Sequence, residues 1–348
     1  MESLGGAEFA LETTYLNTSL CGLLPARAVA AMAELTRESG TGNPAGAGDY
    51  ASVAAARRAF ARLAGVGADR VAIGGSVAVH CALIAASLPA GAEILFPEAD
   101  FASLITPFAV RPGLRPRYVP LERLADSVRP TTALVAFSSV QSADGRTADL
   151  RAVREAAAAH GARTLVDASQ SAGWLPLNAG EWDFTVTGGS KFLLCPRGVS
   201  FLTVTEEAQP SLTAVNASAF AADERWGKLY GPADRLAASA RRFDDPPSFL
   251  LYLGAEHALA LLEEIGVAAI GAHATGLARA FREGLAALGH TPVPGDSAIV
   301  AVPGLGGRAA ELARAGVIVS ERAGNLRAAF HLYNTPADAD RALNALAR

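Results

Sequence analysis

Between residues 70 and 204, short runs of continuous apolar, often β-branched residues alternate with stretches of helical periodicity. The runs fall at 71–73, 93–96, 117–119, 133–137, 164–166, 184–186 and 199–202. The helical stretches fall at 50–64, 77–88 and 149–160, with a longer one at 255–288. Strands that are apolar throughout must be covered on both faces, so the pattern specifies a mostly parallel sheet between layers of helices. Asp149 ahead of Leu150 and Val153 reads as an N-cap opening an apolar stripe. The last two runs are separated only by a Gly/Pro-punctuated loop, 188–198, too short for a helical crossover, so the final strand returns antiparallel. The expectation is an α/β fold with a mixed, mostly parallel seven-stranded sheet. Further on, Pro210, Pro232, Pro246 and Pro247 interrupt the pattern, and strands and helices over 298–347 read as a small α+β unit. A boundary near 240 follows, with 1–240 as N-terminal arm and large domain and 241–348 as the small C-terminal domain.

Composition narrows the function. A net charge of −4 over 348 residues is unlike a nucleic-acid binder, which shows a basic surplus. No run of 18 apolar residues is present, and the start, Met1-Glu2-Ser3-Leu4, lacks the basic flank of a secretion signal, so no membrane association is expected. Three scattered cysteines (Cys21, Cys81, Cys195) suit neither a disulfide framework nor a zinc site, which favours a reducing, cytoplasmic setting without a structural metal. One count stands out. Of 30 basic residues only Lys191 and Lys228 are lysines. Arginine carries the ordinary surface charge here, and an amine offers what guanidinium cannot, namely titration and imine formation.

In doubly wound sheets ligands collect at the carboxyl ends of strands. After 71–73 comes Gly74-Gly75-Ser76-Val77, a glycine turn opening a helix, which suits phosphate or an ordinary tight turn equally. After 93–96 comes Asp100-Phe101, with an aromatic ring that could pack in the core or stack on a flat ligand. After 133–137 comes Ser138-Ser139-Val140-Gln141, and after 164–166 comes Asp167-Ala168-Ser169-Gln170. A carboxylate at the buried end of an apolar strand needs a positive partner. After 184–186 comes Thr187-Gly188-Gly189-Ser190-Lys191. A buried Asp167–Lys191 ion pair would account for two of these groups but not for the glycine turn and the flat ring. A lysine, an acid for a pyridinium nitrogen, a phosphate cradle and a stacking ring on successive strand ends together describe a pyridoxal-phosphate site. Two other glycine-rich stretches lack the context for nucleotides. Residues 40–48 have no preceding strand and no following Lys-Ser/Thr, and 303–307 have no acidic residue about 20 positions on. His80 and Cys81 read as packing residues, and Arg241-Arg242 as surface charge or an inter-subunit contact.

The segments Asp167-Ala168-Ser169-Gln170 and Thr187-Gly188-Gly189-Ser190-Lys191-Phe192-Leu193-Leu194-Cys195-Pro196-Arg197-Gly198 resemble the class V aminotransferase superfamily. That group includes cysteine desulfurases, isopenicillin N epimerase, kynureninase and the ergothioneine-pathway C–S lyase. The likeness runs from Tyr15-Leu16-Asn17-Thr18 to Leu326-Arg327 and Tyr333-Asn334-Thr335. It implies a fold-type-I homodimer with shared active sites and a small amino-acid substrate. By the same resemblance Lys191 carries pyridoxal 5′-phosphate, Asp167 holds its ring nitrogen, and Gln170 bonds its phenolic oxygen. Gly75, Ser76 and Val77 take the phosphate, and Phe101 stacks on the ring. Arg327 clamps the substrate carboxylate, with Asn17 and Gln141 as further substrate contacts.

Two departures bear on the reaction. Desulfurases have histidine before the lysine, where this chain has Ser190, and a nucleophilic cysteine ahead of the carboxylate arginine, where 320–325 holds none. The Gly-Thr-Pro motif that commonly serves the partner's phosphate is missing from 242–248, where Ser248 offers a hydroxyl. The expectation is β-elimination at the carbon–sulfur bond of a cysteine S-conjugate. Transamination, decarboxylating deamination, epimerisation and a non-catalytic subunit of the same fold are the alternatives.

Overall fold

The computed structural model describes residues 2–347 apart from Trp226 and Lys228. Its strands are β1 (Thr14–Tyr15), β2 (Val71–Gly74), β3 (Glu93–Pro97), β4 (Arg115–Val119), β5 (Thr132–Ser138), β6 (Arg163–Asp167), β7 (Phe184–Gly188), β8 (Ser200–Val204), β9 (Ile299–Val302), β10 (Val317–Ile318), β11 (Ser320–Arg322) and β12 (Asn325–Ala329). Its helices are α1 (Ala26–Ser39), α2 (Tyr50–Leu63), α3 (Val77–Ser87), α4 (Ala102–Ala109), α5 (Leu150–His160), α6 (Phe249–Ile265), α7 (Val267–Ala287), α8 (Ala309–Arg314) and α9 (Pro336–Leu346).

The central seven-stranded sheet has the order β2-β8-β7-β6-β5-β3-β4. Only β8 opposes the rest, pairing antiparallel with β7 and β2, while β3–β4, β3–β5, β5–β6 and β6–β7 are parallel. The mixed sheet expected from the sequence is therefore the one observed, including the antiparallel return. Alternate residues feed opposite cores. Ile94 and Phe96 join the layer that contains Val77, Leu83 and Ile84 of α3, whereas Leu95 joins Val153 and Ala157 of α5. Burial on both faces is why these strands read as unbroken apolar runs.

Two elements depart from the sequence reading. The helix expected at 255–288 is two helices, α6 and α7, meeting at 81°. The chain turns at Gly266, whose φ of 89° is available to glycine at little cost. Helix α4 carries Pro107 within only eight residues, which masked its periodicity.

The N-terminal arm crosses the molecule. Strand β1 pairs parallel with β10, Asn17 bridges to Ala329, and the Leu4 amide donates to Leu332. A second sheet, β11-β12-β9, is antiparallel throughout. Strand β2 is an edge, and its outer side is closed by residues 244–252. Asp244 accepts from the Ile73 amide (3.0 Å), the Asp245 amide donates to the Ile73 carbonyl (3.0 Å), and the Tyr252 hydroxyl accepts from the Gly74 amide (3.1 Å).

Candidate active site

The parallel strands end along one edge of the sheet, and a cavity of about 350 Å³ opens there. Gly75, Ser76, Val77, Phe101, Asp167, Lys191 and Arg327 all line it. Strand register alone puts Asp167 there, since Ser138 pairs with Asp167 and Asp167 with Val186. Its side chain is 4% exposed and Oδ1 accepts the Ser169 amide at 2.8 Å. Desolvation raises this carboxyl above its ordinary range, and the Lys191 charge opposes that rise.

Lys191 lies in the tight turn that follows β7. The Gly189 amide donates to Val199, Cys195 to Gly189 and Gly22 to Ser190. Gly22 is required by that approach, because a Cβ there would stand 2.1 Å from the Lys191 carbonyl. The Lys191 ammonium sits 4.7 Å from the centroid of the Phe101 ring. Its pKa is pushed down, first by burial and then by Arg327, Arg197 and Arg322, with Asp167 opposing. Lys228, the other lysine, lies outside the described residues.

At the glycine turn, Ser76 is the N-cap of α3 and its hydroxyl accepts the Val79 amide at 3.4 Å. The amides of a helix's first turn have no intrahelical acceptors, and Gly75, Ser76 and Val77 of this turn line the cavity, the setting of an anion site. Opposite, the Ser169 hydroxyl accepts the Gly188 amide at 2.8 Å, bracing the ends of β6 and β7. Asp100 ties β3 to β5. It accepts the amide and hydroxyl of Ser138 (2.8 and 2.5 Å), the Gln141 side-chain amide (3.1 Å) and the Phe101 amide (2.6 Å), and so sets where the Phe101 ring emerges.

Arg327 is 1% exposed, on β12. Its Nη1 donates to the Ser142 carbonyl and, at 3.0 Å, to the Ser142 hydroxyl, while Nε donates to the Ser320 hydroxyl at 3.2 Å. None of these acceptors is a carboxylate. Burial, then Arg322, depresses its pKa, yet guanidinium remains charged at neutral pH.

The other three expected contacts stand outside the cavity lining. Gln170 spends its NH₂ on the Ser19 carbonyl and the Ser142 hydroxyl, both at 3.0 Å. Gln141 is occupied by Asp100, and Asn17 is buried beside Ala329. Sequence reasoning missed Ser19, Ser142, Ser169, Arg197 and Arg322, all of which line the cavity. The hairpin β11–β12 carried the one available signal, because alternation puts Ser320, Arg322, Asn325 and Arg327 on one face.

These residues fit pyridoxal phosphate. A single lysine faces a buried carboxylate, a helix N-terminus supplies anion donors, and an aromatic ring flanks the amine. Buried polar atoms without partners collect in the surrounding segments, namely Ser19 Oγ, Gln170 Oε1, Asn17 Oδ1 and Thr187 Oγ1. Such groups are costly unless a ligand or water meets them.

Comparisons with known proteins bear on the family and the fold. The family model described as aminotransferase class-V matches residues 51–313. An uncharacterized aminotransferase of Bacillus subtilis is 32% identical over 316 residues, covering 84% of this chain and 82% of its own. Kynureninase of Deinococcus radiodurans is 32% identical over 225 residues, or 58% of this chain and 54% of the enzyme. Among solved structures, that of a cystine C-S lyase in complex with cysteine persulfide superposes with a TM-score of 0.86, at 23% identity and 97% coverage of both chains, a likeness of fold.

Proposed function

The chain belongs to the class V aminotransferase family, and on that premise we propose that this pyridoxal-phosphate-dependent enzyme breaks the carbon–sulfur bond of a cysteine S-conjugate by β-elimination. The observation that carries this reading is a cavity furnished for amino-acid chemistry but walled without a thiol. Among the described residues, Cys195 Sγ points at the Leu193 carbonyl (3.4 Å) and Cys21 Sγ at the Gly22 carbonyl (3.5 Å). Cys81 is buried in α3, and none of the three lines the cavity. Burial pushes the Cys81 and Cys195 thiols well above their ordinary pKa, so neither supplies the thiolate that persulfide-forming desulfuration needs.

In the proposed reaction the Arg327 guanidinium, anchored through Nη1 on Ser142 and Nε on Ser320, presents Nη2 to the substrate carboxylate and turns the Cα–H bond toward Lys191. The Lys191 amine, its pKa lowered by burial and three arginines, takes the Cα proton and returns it to the departing sulfur. Pyridoxal phosphate, when bound, supplies the sink for the electron pair released at Cα. Asp167 keeps a negative charge opposite that sink, and the N-terminal turn of α3 with Ser76 holds the phosphate. The net change consumes one water and yields pyruvate, ammonium and a thiol. The proposal extends to a division near residue 240, in which the smaller unit contributes Arg322 and Arg327. It also takes the chain as a homodimer, on the family resemblance, in a cytoplasmic setting that suits three unpaired cysteines.

The test replaces all three cysteines and assays S-substituted cysteines with and without a keto-acid acceptor. Pyruvate and ammonium released without acceptor supports the lyase. Strict dependence on acceptor makes the chain an aminotransferase, and loss of activity from replacing Cys195 alone restores a desulfurase.

A further inference from the structure

The cavity holds cations to which the chemistry above assigns no partner. Lys191, Arg197, Arg322 and Arg327 line it, and Asp167 is the one carboxylate among its lining residues. Asp167 and Lys191 serve the cofactor ring, the N-terminal turn of α3 its phosphate and Arg327 the α-carboxylate, which leaves two guanidiniums without an assigned anion. Arg322 donates only to the Glu321 backbone carbonyl (2.6 Å), and among the described residues neither Arg322 nor Arg197 has a carboxylate within ion-pair distance. Elsewhere in the chain arginines find acids readily, as in Arg57–Asp244, Arg62–Glu263 and Arg308–Glu311.

Arg322 is also held in place. Ala323 and Gly324 make a two-residue turn with both φ values positive, 49° and 78°, which clamps β11 to β12. Register then sets Arg322 opposite Asn325 and Ser320 opposite Arg327, so both arginines rise from one face of one hairpin. That face abuts residues 142–143, to which Arg327 and Asn325 donate. Arg197 comes from the loop after Lys191 and lines the same cavity.

We propose that Arg322 and Arg197 form a second anion subsite, and that the substrate is an amino acid whose side chain carries a second carboxylate beyond the reacting carbon. This rests on the reading of the cavity as an amino-acid site, and names its substrate class. Coulomb attraction in a partly desolvated cleft favours a dianionic over a monoanionic substrate, and two guanidiniums select a planar carboxylate over its amide.

The experiment uses the holoenzyme and two matched pairs, S-(carboxymethyl)- and S-(2-carboxyethyl)-L-cysteine against their carboxamides. Affinity is read from the change in cofactor absorbance on titration, and turnover from pyruvate. The wild type binds at least one acid about ten- to a hundredfold more tightly than its amide. Arg322→Ala brings that ratio toward one, and Arg197→Ala lowers it. Arg322→Glu, folded by the criterion of an unchanged melting temperature, inverts the preference toward S-(2-aminoethyl)-L-cysteine. Equal affinity for acid and amide in the wild type overturns the subsite, as does an equal loss of both in Arg322→Ala. A fall in pyridoxal-phosphate affinity in the arginine variants, with the ratio intact, also overturns it by assigning them to the phosphate. Discrimination in absorbance without pyruvate keeps the subsite and refutes the lyase. No response to any conjugate refutes both.

Discussion

Asp244→Ala tests the architecture behind the glycine turn. Asp244 is fully buried, and its carboxylate takes Arg57 Nη1 at 3.0 Å and Nη2 at 2.6 Å, while Arg57 also donates to the Val71 carbonyl and the Tyr50 hydroxyl. The pair is tied to β2 by the bond from the Ile73 amide to Asp244. Removing the acid strands a buried guanidinium, which costs about 3–5 kcal/mol. Unfolding entropy scales with length, to about 0.7 kcal/mol/K for a chain of 348 residues. The expected fall in melting temperature is therefore about 4–7 °C. Combining Asp244→Leu with Arg57→Met removes both charges, and should recover most of the loss. Urea denaturation followed by tryptophan fluorescence measures both variants. A single variant within about 1 kcal/mol of wild type refutes the reasoning, and so does a double variant as unstable as the single.

The same variant has a functional readout. Ile73 and Gly74 lead directly into Gly75-Ser76-Val77, so slackening β2 should displace the proposed phosphate donors while leaving Lys191 in place. Apoprotein carrying Asp244→Ala should lose affinity for pyridoxal phosphate and keep its affinity for pyridoxal. Equal losses for the two ligands count against the link.

Asp167→Asn preserves shape and removes charge, so turnover should fall about a hundredfold or more while cofactor affinity falls less; near-normal turnover contradicts the role. Arg327→Lys keeps charge without the fork, and should raise KM about ten- to a hundredfold with the cofactor spectrum unchanged; an unchanged KM refutes it. Acid sensitivity should come partly from His80, which burial holds down to about 4 against an unfolded value near 6.5. As pH falls from 6.5 toward 4 the unfolded chain takes the proton first, so stability drops, by about 3 kcal/mol at the lower limit. His80→Gln should flatten that limb of a urea-midpoint profile between pH 7 and 4.5, and an unaltered slope rules the histidine out.

What was legible in the sequence was local. The strand runs declare themselves because each is buried on two faces, and Lys191 stands out because arginine has taken almost every other cationic position. Asp167 follows from the cost of a carboxylate at a buried strand end. Partner choice was not legible. Gln170 and Gln141 occupy motif positions, yet their amides are taken by Ser19, Ser142 and Asp100, contacts made across 28 to 151 residues of sequence. The pairing of β1 with β10 spans most of the chain, and no local pattern announces it.

The hairpin that carries Arg322 shows the limit most sharply. Read locally, the residues on either side of 321–325 have the apolar pattern of strands and those between them read as a loop. Asn-Gly or Asp-Gly is the usual mark of a two-residue turn, and here the turn is Ala323-Gly324, with alanine accepting a φ of 49°. Missing that turn loses the register, and register decides everything on this hairpin. A slip of one residue between β11 and β12 would put Arg322 and Arg327 on opposite faces, one of them on the side where Leu326 is buried. Two guanidiniums on one face of a tight hairpin are thus a consequence of pairing, invisible among 28 arginines until the strands are laid side by side.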